Sequence, residues 1–160
     1  MSDVKILYEK DTAAWAERQG AALRAAARGG SNQPLDWENL AEEIESLRKS
    51  LKYALGSQIF RIIHHFVKLE YSPAIDPRNG WRRTIRQARA EIDRIFEDSP
   101  SLRREINRMI PQESKRAIEY AIDDLREFDE LGRLDLPSLR KLAYTPDQIL
   151  GDWFPPEPQA

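Results

Sequence analysis

The chain has 160 residues, 32% of them charged, yet its formal net charge is only −2. It contains no cysteine, which excludes a disulfide scaffold, thiolate metal sites and cysteine nucleophiles, and the charge balance argues against a generic polyanion binder. The length suits one domain spanning residues 1–160, with a core that needs no metal or disulfide staple.

No apolar run is long enough for a membrane span, and MSDVKILYEKD at the start has scattered charges in place of a signal-peptide core. The expected location is a reducing compartment, the cytoplasm. Residues 1–10 read as an arm or a partial turn, with Ile6, Leu7 and Tyr8 available to dock. Asp11 or Thr12 would cap a first helix running to about Ala27, whose thin face of Trp15, Ala22, Leu23 and Ala26 permits close helix–helix approach. Gly29 to Pro34 (GGSNQP) reads as a linker. It lacks the Lys-Ser/Thr ending and the preceding strand of a phosphate loop.

A long helix follows, from Leu35 to Tyr71. Asp36 is a good N-cap and Glu38 adds negative charge at the positive end of the dipole. Leu40, Ile44, Leu47, Leu51 and Leu55 recur at spacings of three and four, a narrow apolar stripe. Beyond Gly56, where a bend is expected, Ile59, Phe60, Ile62, Ile63, Phe66, Val67 and Leu69 cover most of the circumference. That pattern predicts a helix entering the centre of a core, with Leu47, Leu51, Ile62 and Phe66 buried. Ser72-Pro73 stops it.

A third helix is expected from about Trp81 to Phe96. Ser99-Pro100 would restart the chain as a fourth. Pro111 would interrupt that helix or begin a fifth, which runs to about Leu131 with Gly132 as its cap. The segment 133–160 is proline-rich, but Thr145-Pro146-Asp147-Gln148 has the form of a capping box. Trp153 and Phe154 predict that this tail folds back on the body. No stretch alternates with period two, so no sheet is expected. The fold class is all-α: an irregular bundle of about five helices around a long central one.

The chain resembles a bacterial family known as domain of unknown function number twenty-nine. The likeness rests on Leu7-Tyr8-Glu9 with Asp11 and Trp15, on Leu35 to Glu45 (LDWENLAEEIE), and on Ser72-Pro73. It continues through Trp81-Arg82 with Thr84-Ile85, Ser99 to Leu102 (SPSL), Tyr144-Thr145-Pro146, Gln148-Ile149-Leu150 and Trp153-Phe154-Pro155. The resemblance implies an all-helical fold and a bacterial source, and it carries over no catalytic residue.

Three constellations invite function. Glu38, Glu42 and Glu45 share one face of the long helix, opposite the leucines, and read as a solvated or salt-bridged face. No Glu-x-x-His pair accompanies them, so no metal and no cofactor is expected. His64 and His65 are the only histidines and point about 100° apart on a helix. His64 lies toward Arg61 and Lys68 and should be neutral, while His65 sits at the edge of the core. Residues 78–89 hold five arginines and no acid. Arg82, Arg86 and Arg89 fall on one face, next to Arg78 and Trp81, and arginine's planar fork suits phosphate or carboxylate. Their expected counterparts are the acids of 36–45 and 119–135, within the molecule or across a dimer. The leading reading is a non-enzymatic protein-interaction or regulatory module, with Arg78, Trp81, Arg82, Arg86 and Arg89 facing a protein partner or a second copy. The alternative is a nucleic-acid-associated protein using that basic face, and the third is a hydrolase built on Glu42, Glu45 and His65.

Overall fold

The computed structural model describes residues 3–30 and 34–158. Ser31, Asn32 and Gln33 of the expected linker lie outside the described residues, as do the two residues at each end. Among the described residues there is no strand. Seven α-helices follow in order: α1 (Asp3–Lys10), α2 (Thr12–Arg28), α3 (Trp37–Tyr71), α4 (Arg78–Asp98), α5 (Ile106–Glu127), α6 (Leu136–Leu139) and α7 (Pro146–Leu150). A 3₁₀ turn, Pro100–Glu105, precedes α5. The all-helical class predicted from the caps and periods holds. The chain divides into two compact units, Met1–Leu55 with Arg94–Arg104, and Gly56–Asp93 with Glu105–Ala160.

The first unit is pinned by Asp11. The expected arm or partial turn is a short helix, α1, with Tyr8 packed edge-on against Trp15 at 4.9 Å. One carboxylate oxygen of Asp11 accepts the Ala14 N–H at 2.8 Å, capping α2. The same group accepts the Ser101 N–H at 2.6 Å and its hydroxyl at 2.9 Å. Ser99 Oγ in turn accepts the Ala13 N–H. The buried apolar side chains here are three alanines, Ala13, Ala16 and Ala41, and the larger Leu55, Ile95, Phe96 and Leu102.

The predicted burial of Leu47 and Leu51 needs correction. Leu40 and Leu47 are 41% and 43% exposed, and Leu51 is half-buried. The cause is the flank of α3 that α2 occupies. Arg24 of α2 bonds Glu38 and Glu45 at 2.6–2.8 Å, and Glu17 lies 3.4 Å from Arg48. Gly20 completes the approach, since a Cβ there would stand 2.5 Å from Cγ of Glu45. The buried residues of α2 are Ala13, Ala16 and Gly20, in place of the expected face, of which Ala22 is exposed and Trp15, Leu23 and Ala26 are half-buried. Helix α2 thus meets the acidic flank of α3 and leaves the leucine row outward.

In the second unit the broad apolar pattern is borne out. Ile59, Ile62, Ile63, Phe66, Val67 and Leu69 of α3 are buried, with Ile85, Ala88 and Ile92 of α4 and the inner face of α5 from Ile106 to Leu125. The helix continues through Gly56, whose missing side chain makes room for Glu113, as a Cβ would meet its Oε1 at 2.9 Å. Helix α4 starts at Arg78, earlier than predicted, and buried Arg78 donates to the carbonyls of Leu69 and Ser72 at the end of α3. Pro111 neither stops nor starts a helix but lies exposed inside α5. That helix ends before Gly132, at Phe128, and the following Asp129 takes the left-handed conformation (φ 57°). Thr145 forms the predicted capping box, accepting the Gln148 N–H while the Gln148 side chain accepts the Thr145 N–H. Trp153 docks edge-on against Phe66 at 5.1 Å.

Candidate functional sites

The arginine face of α4 is engaged mainly within its own unit. Arg89 is buried. Its Nε donates to the Ile149 carbonyl at 2.9 Å, and its Nη2 donates to those of Gln148 (2.8 Å) and Trp153 (2.6 Å). The guanidinium also stands 5.0 Å from the ring centre of Phe154 and 5.6 Å from that of Phe66. Arg82 pairs with Glu157 at 2.9 Å. Arg86 is exposed beside Phe154, and half-buried Trp81 has the Lys68 ammonium 5.0 Å from its ring centre. The counterparts expected from residues 36–45 and 119–135 are thus replaced by main-chain carbonyls and Glu157, and the stripe anchors the C-terminal segment.

The acids expected opposite these arginines have other partners. Arg24, by hydrogen bond and charge, holds the Glu45 carboxyl below the usual range, and Arg140 does the same for Glu119 at 2.7 Å. Glu42 is exposed. Glu42 and Glu45 belong to the first unit and His65 to the second. Among the described residues no group of three His, Cys, Asp or Glu side chains could hold a metal ion.

His64 and Lys68 meet on Asp124, a residue the sequence did not single out. His64 Nε2 lies 3.0 Å from Oδ2 of Asp124 on α5, and Lys68 donates to that oxygen at 2.8 Å. Burial pushes His64 below its ordinary value despite Asp124. Asp124 is held low by the Lys68 hydrogen bond and charge, against the opposing effect of its own burial. His65 is pushed down to about 4, first by burial and then by the charges around it, and its Nδ1 is enclosed without a partner. The spacing of His64 and Lys68, one helical turn apart, was the available signal for a shared partner on a neighbouring helix.

Beside this network lies a cavity of about 350 Å³ lined by residues of α3 and α5: Ser57, Phe60, Arg61, His64, His65, Glu113 and Arg116. Phe60 stacks near-parallel to His64 and meets Tyr120 edge-on. Arg116 pairs with Glu113 at 3.0 Å and lies 5.6 Å from the Phe60 ring centre.

Large apolar side chains also reach the surface: Leu35, Leu40, Leu47 and Tyr53 in the first unit, and Ile75, Tyr120 and Phe128 in the second. No helix among the described residues is long and apolar enough to cross a membrane.

Comparison with known proteins gives a family and a fold. The family model described as "Domain of unknown function DUF29" matches residues 7–154. A crystal structure of an alpha-helical protein of unknown function from Rhodospirillum rubrum ATCC 11170 is similar, with a TM-score of 0.70 and 25% sequence identity. The alignment covers 89% of this chain and 88% of that one. No curated protein matches the chain.

Proposed function

The chain belongs to the DUF29 family, and from that premise we propose that it is a protein-interaction module, without enzymatic activity of its own, whose contact surface is the leucine row on the first half of α3. The observation that carries this reading is the exposure of Leu40 and Leu47, each above 40%, in a three-and-four row with half-buried Ile44 and Leu51. A helix that packs its acidic flank inward and leaves its leucines outward is arranged for a second apolar helix face. The partner is another protein or a second copy of the chain. Trp81, Arg82 and Arg86 are proposed as a further partner-facing group, with Arg78 and Arg89 serving by fixing the segments around them. A nucleic-acid role for the basic run is less favoured, because Arg78 and Arg89 are buried on main-chain carbonyls. A chain without cysteine and without a membrane-crossing helix among the described residues fits the bacterial cytoplasm, the proposed location.

The test is the pair Leu40→Glu and Leu47→Glu in the full chain. Self-association would be followed by analytical ultracentrifugation, and heterologous contacts by cross-linking in the native cell. Association should be lost while stability changes by less than about 1 kcal/mol, as for surface positions. Unfolding at low denaturant with association untouched would mark the leucines as core and end the proposal.

A further inference from the structure

We propose that the cavity between the second half of α3 and α5, lined by Arg61, His65 and Arg116, is a binding site for the phosphate group of a small phosphate monoester. This is independent of the leucine-row reading. Each helix contributes one guanidinium. Arg61 is exposed, and no carboxylate among the described residues pairs with it. Arg116 gives one of its nitrogens, Nη1, to Glu113, which leaves donors of its five N–H groups for a ligand. Two arginines against one glutamate leave the site a net positive charge.

The histidine adds a neutral donor. Nδ1 of His65 is enclosed without a partner, and an N–H buried without an acceptor is the costlier of the two tautomers. The ring proton is therefore favoured on Nε2, free to point at an oxyanion. Donors from two helices and an imidazole approach from several directions, whereas the acceptor sites of a carboxylate all lie in one plane. A tetrahedral phosphate accepts from all of them. The Phe60 ring supplies an apolar wall, and about 350 Å³ is at the lower end of the range for small-ligand sites, room for a phosphate with a modest body attached.

The chain has only two histidines and both line the cavity, so their imidazole signals report the site directly. The experiment titrates the full chain with inorganic phosphate at fixed pH and ionic strength, following those signals by nuclear magnetic resonance. Saturable shifts of His65 are expected, weaker ones with acetate, and none with chloride. Arg61→Gln, an exposed change that should leave folding intact, should weaken phosphate binding by about tenfold or more, and Arg116→Gln should do likewise. Shifts that never saturate, an equal response to chloride, or unchanged affinity in Arg61→Gln would each overturn the proposal.

Discussion

Replacing Arg89 by Met keeps much of the side-chain volume and deletes the guanidinium that holds the C-terminal segment. Three main-chain carbonyls then lose a charged donor: those of Ile149, Gln148 and Trp153. The Ile149 bond is buried, and losing it carries the full penalty of an unmet acceptor, about 2–3 kcal/mol. The other two are partly buried, so water can replace the donor at about 1 kcal/mol each. The sum, about 4 kcal/mol, is large beside a typical domain stability of about 5–15 kcal/mol, but it bears on one segment. The expected result is local release: amide hydrogen exchange in residues 145–154 should speed up by about a thousandfold, with α5 still protected. Arg89→Lys should recover only part, because an ammonium cannot span three acceptors as a fork does. Protection of 145–154 changed by less than about tenfold would refute the clamp. Equal loss across the whole chain would show that the segment is not separately anchored.

Phe66→Ala should cost about 3–5 kcal/mol in denaturant unfolding, since the ring is fully buried against Tyr144 and Trp153; Leu47→Ala on the same helix should cost under about 1 kcal/mol. Asp11→Ala removes a helix cap and two bonds to Ser101 together, and a loss of about 2–3 kcal/mol is expected from thermal and denaturant melts. Stability should fall as pH drops from the ordinary histidine value of 6.5 toward about 4, because the unfolded chain takes up the His65 proton that the folded chain refuses. The contribution is complete above 6.5, and His64 acts with the same sign. His65→Gln should flatten a plot of urea midpoint against pH in that window, and an unchanged slope would deny His65 the role.

What was legible in the sequence is what depends on neighbours in the chain. The capping box at Thr145, the Asp11 cap and the broad apolar run from Ile59 to Leu69 each follow from residues within a few positions of one another. What was not legible depends on which surface meets which. Whether α2 takes the leucine flank or the acidic flank of α3 is decided by Arg24 finding Glu38 and Glu45 and by the room Gly20 leaves. Neither has a periodic signature. Arg89 looked like one more surface cation because its acceptors are carbonyls, which every residue carries. Asp124 was hidden for a similar reason: it sits in an acidic stretch, and only the packing of α5 on α3 singles it out for Lys68 and His64. The anion cavity was missed with it, since Arg61 and Arg116 become neighbours only in three dimensions.

The contact between Asp11 and Ser101 has a consequence for how the protein emerges from the ribosome. The chain leaves its first compact unit at residue 55 and re-enters it only at residue 94. Helices α1 and α2 are therefore made early and must wait, at about 5–20 residues per second, for several seconds. During that delay the Asp11 carboxylate has only its local cap to serve, and the Ala13 N–H has no serine hydroxyl to meet. Ser99-Pro100-Ser101 acts as a latch that closes the first unit once the intervening residues 56–93 have been synthesised. A nascent chain stalled at residue 90 should thus expose its N-terminal helices to protease, and one stalled far enough past residue 104 to clear the exit tunnel should protect them.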